Sequence, residues 1–243
     1  MNQIALNPYK LARLSGTIAI VLVLASIGGQ LTIHLTDYAQ ECKLVKLLSV
    51  DAERNIPTCF SMLLMVISAL LLAIISIIER SQADYPVRHW AILSCGFLIM
   101  AVDEAWSFHE GLSSPVRELL GNENLGAFYF AWVIPGIALV LVLALFFWRF
   151  LLHLPAKTRL TFLIAATVYL GGAIGMELIG GSFAEAHGMQ NLPYIMIVTL
   201  EESLEMAGVI IFIRALLIYI ADNYNEVRLR FEAVNEKTRI DGE

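Results

Sequence analysis

The 243-residue chain is 58% hydrophobic and 16% charged, with a mean hydropathy of +0.71. Soluble domains average roughly 45–50% apolar and about 25% charged. The composition therefore excludes a disordered chain, a nucleic-acid binder, a collagen, a disulfide-rich secreted scaffold and an ordinary soluble enzyme. A polytopic membrane protein remains, and its net charge of −6 matters less than where its 22 acids sit.

A membrane helix takes about 20 mainly apolar residues. Six segments qualify in chain order: 12–34, 58–78, 89–110, 126–151, 160–182 and 193–220. Lys10 and Arg13 precede the first, as in a signal peptide. That apolar run exceeds 20 residues and lacks an A-x-A-like cleavage site, so it reads as a retained span. All six are apolar around the whole helix, without the alternation of barrel strands. The expected fold is an all-α, polytopic membrane helical bundle of six transmembrane helices over 1–221. A charged cytoplasmic tail, 222–243, is expected to extend span six as a helix before fraying.

Between spans one and two, LVKLLSV reads as a short interfacial helix ahead of a turn at Asn55–Ile56–Pro57. The favoured reading of the whole loop 35–57, and of the tail, is nevertheless solvated connection. Pro57 opens span two, where proline is tolerated. Pro135 reads as a kink in span four. Gly171 and Gly175 form a G-x-x-x-G in span five that allows close helix approach.

Orientation follows from lysine and arginine in the loops. Twelve of the sixteen fall on the side of the N-terminus, the 79–88 and 149–159 loops and the tail; Lys43, Lys46, Arg54 and Arg117 fall opposite. Both termini are therefore expected in the cytoplasm of a bacterial inner membrane, N-in and C-in. Trp90 and Trp148 then belong to an aromatic belt. His89 and His153 share that inner interface and carry no assigned role. Cys42 and Cys59 share the outer side, where a disulfide is open to them. Cys95 reads as a buried small apolar residue.

The acids inside the spans carry the functional reading. Span three ends with Asp103, Glu104, His109 and Glu110; span five carries Glu177; span six carries Glu201, Glu202 and Glu205. Each charged side chain at a helix centre costs about 2.5–3.5 kcal/mol. At 100° per residue, Asp103 and Glu110 share a helix face, and His109 lies about 120° from Asp103. Glu201, Glu202 and Glu205 fall within one arc of about 100°. Span direction and depth place all three groups in the outer leaflet. His34, Asp37, Asp51 and Glu53 lie on the same side and read as solvated groups at its entrance.

No lysine or arginine lies between Arg88 and Arg117 or between Arg159 and Arg214. Protonation, a bound cation or a water-filled vestibule must offset the charge. Carboxylates with a histidine suit Fe, Mn or Zn better than Ca, so a divalent metal ion is the expected cofactor. The Glu-x-x-His of soluble di-iron bundles is missing; the chain offers Glu202-x-x-Glu205, His109–Glu110 and the loop pair Glu185 and His187. No nucleotide loop, serine elbow, C-x-x-C, zincin motif or histidine-rich box is present.

The strings DAERNIPTCFS, DEAWSFHE, GGAIGMELIGG and EESLEMAG resemble a widespread prokaryotic family of six-span membrane proteins. The resemblance covers most of the chain. It implies that architecture and, since the family has no established activity, no catalytic assignment.

Three readings follow. The first is a cation-binding membrane protein, extending to a metal-dependent enzyme acting on a lipid or membrane-soluble substrate. The second is a proton- or cation-coupled transporter, which the scarcity of ionisable residues in the inner halves disfavours. The third is a structural subunit of a membrane complex, with the acids packed and protonated. The bilayer is the expected partner, with a lipid or small-molecule ligand open and nucleic acid excluded.

Overall fold

The computed structural model describes residues 7–35, 43–81, 87–121 and 124–224. The described residues are helical, without strands. The helices are α1 (Pro8–Leu35), α2 (Lys43–Leu48), α3 (Ile56–Ser81), α4 (Val87–Trp106), α5 (Phe108–Gly111), α6 (Ser113–Leu119), α7 (Val133–His153), α8 (Ala156–Leu170), α9 (Glu177–His187) and α10 (Leu192–Asn223). Five continuous helical stretches are long and apolar enough to cross a bilayer. A sixth is completed if α4 and the α5–α6 segment, bent by 72°, form one broken span.

Helix α10 is the axis of the bundle, and α1, α3 and α8 pack on it while α4 pairs with α3. Its buried face runs from Met206 to Tyr219 and meets Leu64, Leu72, Ile75 and Phe150. By contrast, α1 and α7 keep large apolar side chains such as Leu24, Leu139, Leu145 and Trp148 exposed. Such a surface is unfavourable in water and matched by lipid.

Several sequence expectations change here. Span three ends early, because Ser107 takes a left-handed conformation (φ 47°, ψ 43°) and breaks the helix after Trp106. A non-glycine residue there costs roughly 1–2 kcal/mol. The Asp103 carboxylate offsets it by accepting the backbone N–H of His109 at 3.0 Å. Span four begins at Val133 rather than 126. Residues Gly126–Phe128 form a 3₁₀ turn docked on α9, where Gly181 leaves room for the Ala127 carbonyl and Glu185 accepts the Gly126 N–H. Pro135 therefore lies in the first turn of α7, where its missing N–H costs nothing, and no kink is needed.

Span five is longer, 156–187, and passes through a π-helical turn at Gly171–Met176. Within it the close approach falls on Gly172, not on the G-x-x-x-G pair. A Cβ on Gly171 would meet nothing within 4 Å, and on Gly175 only the Leu170 carbonyl at 3.9 Å. On Gly172 it would lie 2.7 Å from the Glu201 carbonyl oxygen. Gly208 answers from α10, its added Cβ 2.7 Å from the backbone N and Cβ of Tyr169.

Loop one is more than solvated connection. Helix α2 takes up LVKLL of LVKLLSV, and Val45 packs against Gly29. The buried Asn55 donates to the Ser49 carbonyl at 2.5 Å and caps α3 by accepting the Thr58 N–H at 3.1 Å. The Val50 N–H reaches the Ser26 hydroxyl at 3.0 Å. Trp90 is no belt residue: it is fully buried, edge-on to Phe150 at 4.9 Å and to Phe162 at 6.2 Å. Trp148 is exposed. Cys95 faces outward from α4 rather than inward. Asp37, Cys42 and the tail beyond Tyr224 lie outside the described residues.

Candidate functional site

Four elements bring the span acids to one end of the bundle. The break at Ser107 reverses the expected geometry of α4: instead of diverging, the His109 ring folds back onto Asp103. Its Nδ1 lies 2.5 Å from Asp103 Oδ2, the only ion pair among the described residues. The ring also stands edge-on to Trp132, centroids 4.4 Å apart.

From the other side Trp132 donates its indole N–H to Glu177 Oε1 at 2.7 Å. Glu177, directly after the π-helical turn, reaches the carboxyl of Glu201 within hydrogen-bonding range. One turn along α10, Glu205 lies near the buried Tyr169 hydroxyl. Glu202 faces the charges of Glu205, Glu104 and Glu201, while Glu104 approaches Ser61 of α3. These acids are half-buried and Glu110 is exposed at the mouth.

The eight candidate residues lie toward one end of the bundle; Asp103–His109 and Trp132–Glu177 are hydrogen-bonded pairs there, and the other acids act on one another through their charges. Among the described residues, no three His, Cys, Asp or Glu side chains stand close enough together to hold a metal ion as they are. Glu185 and His187 are elsewhere: Glu185 accepts the Gly126 N–H and the His187 ring stacks on Phe183 at 4.6 Å. Arg117 is also committed, donating to the Tyr129 carbonyl at 2.6 Å and lying 5.0 Å from that ring's centroid.

Sequence reasoning missed Trp132, Tyr169 and Ser61, for which no motif exists. It also undervalued Asp51. Tied-down loop one carries Asp51 beside the cluster with its side chain still open to solvent; desolvation by the surrounding protein first, then the Glu110 charge, pushes its carboxyl up to about 6. In the unfolded chain the same group titrates near 3.8. The native state thus holds more protons between those values, and its stability falls as pH rises from about 4 to about 6. Thermal midpoints in detergent across pH 4–7 should show wild type losing stability relative to Asp51→Asn over that window. Parallel curves would remove Asp51 from the cluster's electrostatics.

No curated protein and no solved structure matches the chain. A family model described as "Domain of unknown function (DUF8692)" matches residues 16–220, and the chain belongs to that family.

Proposed function

We propose that this is an inner-membrane protein that binds a cation at a carboxylate and histidine cluster near the outer face, with Glu177 and Glu201 at its centre. The carrying observation is the contact between those two carboxyls. Two carboxylates repel at that range unless a proton is shared or a cation bridges them. Asp103, Glu104, His109, Glu110, Glu202 and Glu205 supply the further donors. Carboxylates with one imidazole suit Mn, Fe or Zn better than Ca. The pairs are not a preformed three-ligand set, so an ion must draw donors from neighbouring pairs.

Metal analysis by mass spectrometry of the detergent-solubilised protein tests this. The expected result is a stoichiometric divalent metal that falls severalfold in Glu201→Gln and in Glu177→Gln. Wild type without stoichiometric metal overturns the metal reading and leaves a shared proton, as a proton-coupled transporter would use. Unchanged content in both variants would move the site elsewhere.

A second reading is favoured by Asp103 and His109. A carboxylate on Nδ1 orients the imidazole and leaves Nε2 as a general base. The half-exposed ring follows the exposed Trp106 and Phe108 in the chain, a setting suited to an enzyme acting on a lipid or another membrane-soluble substrate.

A further inference from the structure

Three helices meet at the end of the bundle opposite the acids. Tyr9 comes from the first turn of α1, Lys157, Thr158 and Thr161 from the start of α8, and Arg214 and Ile218 from the C-terminal part of α10. Arg214 lies thirteen residues, about 20 Å, along α10 from Glu201. The three elements enclose a small open cleft of about 40 Å³. Its lining holds two cations and three hydroxyls and no acid.

The state of Arg214 is unusual for a charged side chain on a mostly buried helix. Its guanidinium carbon lies 5.4 Å from the centroid of the Tyr9 ring. Its Nε is buried with no hydrogen-bond partner, and no carboxylate of the described residues lies within 4 Å of it. Glu79, at the same end, accepts instead from the Tyr219 and Tyr224 hydroxyls at 3.0 and 2.5 Å. A buried donor left unmatched costs about 1–3 kcal/mol, more when charged. Lys157, exposed, stands at the rim as a mobile point charge. Thr161 already donates to the Lys157 carbonyl at 2.9 Å, which leaves Lys157, Arg214, Thr158 and the Tyr9 hydroxyl as donors for a guest.

A planar guanidinium with a nearby ammonium is the donor set that phosphate oxygens match. Basic pockets between membrane helices take anionic headgroups by the same chemistry. We propose that this cleft binds a singly or doubly charged phosphate group, presented by an anionic lipid headgroup or free in solution.

The test uses the full chain in neutral detergent, titrated with short-chain phosphatidylglycerol, phosphatidylcholine of equal chain length, or inorganic phosphate. The readout is the thermal midpoint. Phosphatidylglycerol is expected to raise it, with half-saturation at least fivefold below that of phosphatidylcholine. Arg214→Gln and Lys157→Gln should each weaken that response at least fivefold. Lys157 is exposed, so its variant keeps the unliganded midpoint and remains informative if Arg214→Gln fails to fold. A response to phosphatidylglycerol alone assigns the lipid as source; an equal response to inorganic phosphate assigns free phosphate. No response to either, a response to phosphatidylcholine equal to that of phosphatidylglycerol, or full retention in Lys157→Gln overturns the proposal.

Discussion

Gly172→Ala is expected to destabilise the bundle by about 1–3 kcal/mol, the usual cost of overpacking, and to disturb the acid cluster at the same time. The added methyl would sit 2.7 Å from the Glu201 carbonyl oxygen, 3.0 Å from Glu205 Cγ and 3.1 Å from Leu204 Cβ. The first of these is backbone and cannot rotate away. Relief requires α10 to move off the π-helical turn, and that movement separates Glu201 from Glu177. Gly171→Ala is the internal control, since its methyl meets nothing within 4 Å. In thermal melts and metal analysis of the same preparations, Gly172→Ala should lose both stability and cation content, and Gly171→Ala neither. Equal behaviour of the two would mean that the helices do not touch at this point.

Trp90→Ala should have the larger effect on stability and none on the cluster. The side chain is fully buried, tilted against Tyr219 at 5.1 Å and edge-on to Phe150 and Phe162. Truncating a buried tryptophan costs about 3–5 kcal/mol, a fall in midpoint on the order of 10 °C for a chain of this length. Its indole N–H has no hydrogen-bond partner among the described residues, so Trp90→Phe loses packing but no hydrogen bond and should fall much less. Metal content per folded molecule should stay at the wild-type level in both. Loss of metal in Trp90→Phe would show that the two ends are coupled through α10.

Six apolar segments are readable because hydropathy reports the solvent a helix will meet, and it does so without knowing the neighbours. What it cannot report is local backbone conformation. Ser107 in a left-handed conformation has no signature in AVDEAWSFHE, so a helical wheel carried through it put His109 on the wrong side of Asp103. Residues 126–132 are apolar enough to count as span, yet their backbone groups are satisfied by tight turns, by Ser113 and Arg117 and by Glu185 of α9, not by a continuous α-helix. The acids were legible from their cost alone. Their neutral neighbours were not: a tryptophan that donates to Glu177 and a buried tyrosine near Glu205 look in sequence like any apolar-face residue. Which glycine allows close packing was also hidden, because the π-helical turn shifts the face that a G-x-x-x-G spacing assumes.

That turn also separates two design problems within one span. Residues Ala156–Leu170 are phased against the core at the basic end, and Glu177–His187 against the loops at the acidic end. A continuous α-helix would lock the two together, each added or lost residue swinging one end by about 100° relative to the other. The wider turn, with three glycines in GGAIGM, absorbs such a residue locally. The chain can therefore adjust the aim of Glu177 over evolutionary time while the anchoring half of the same helix stays in register.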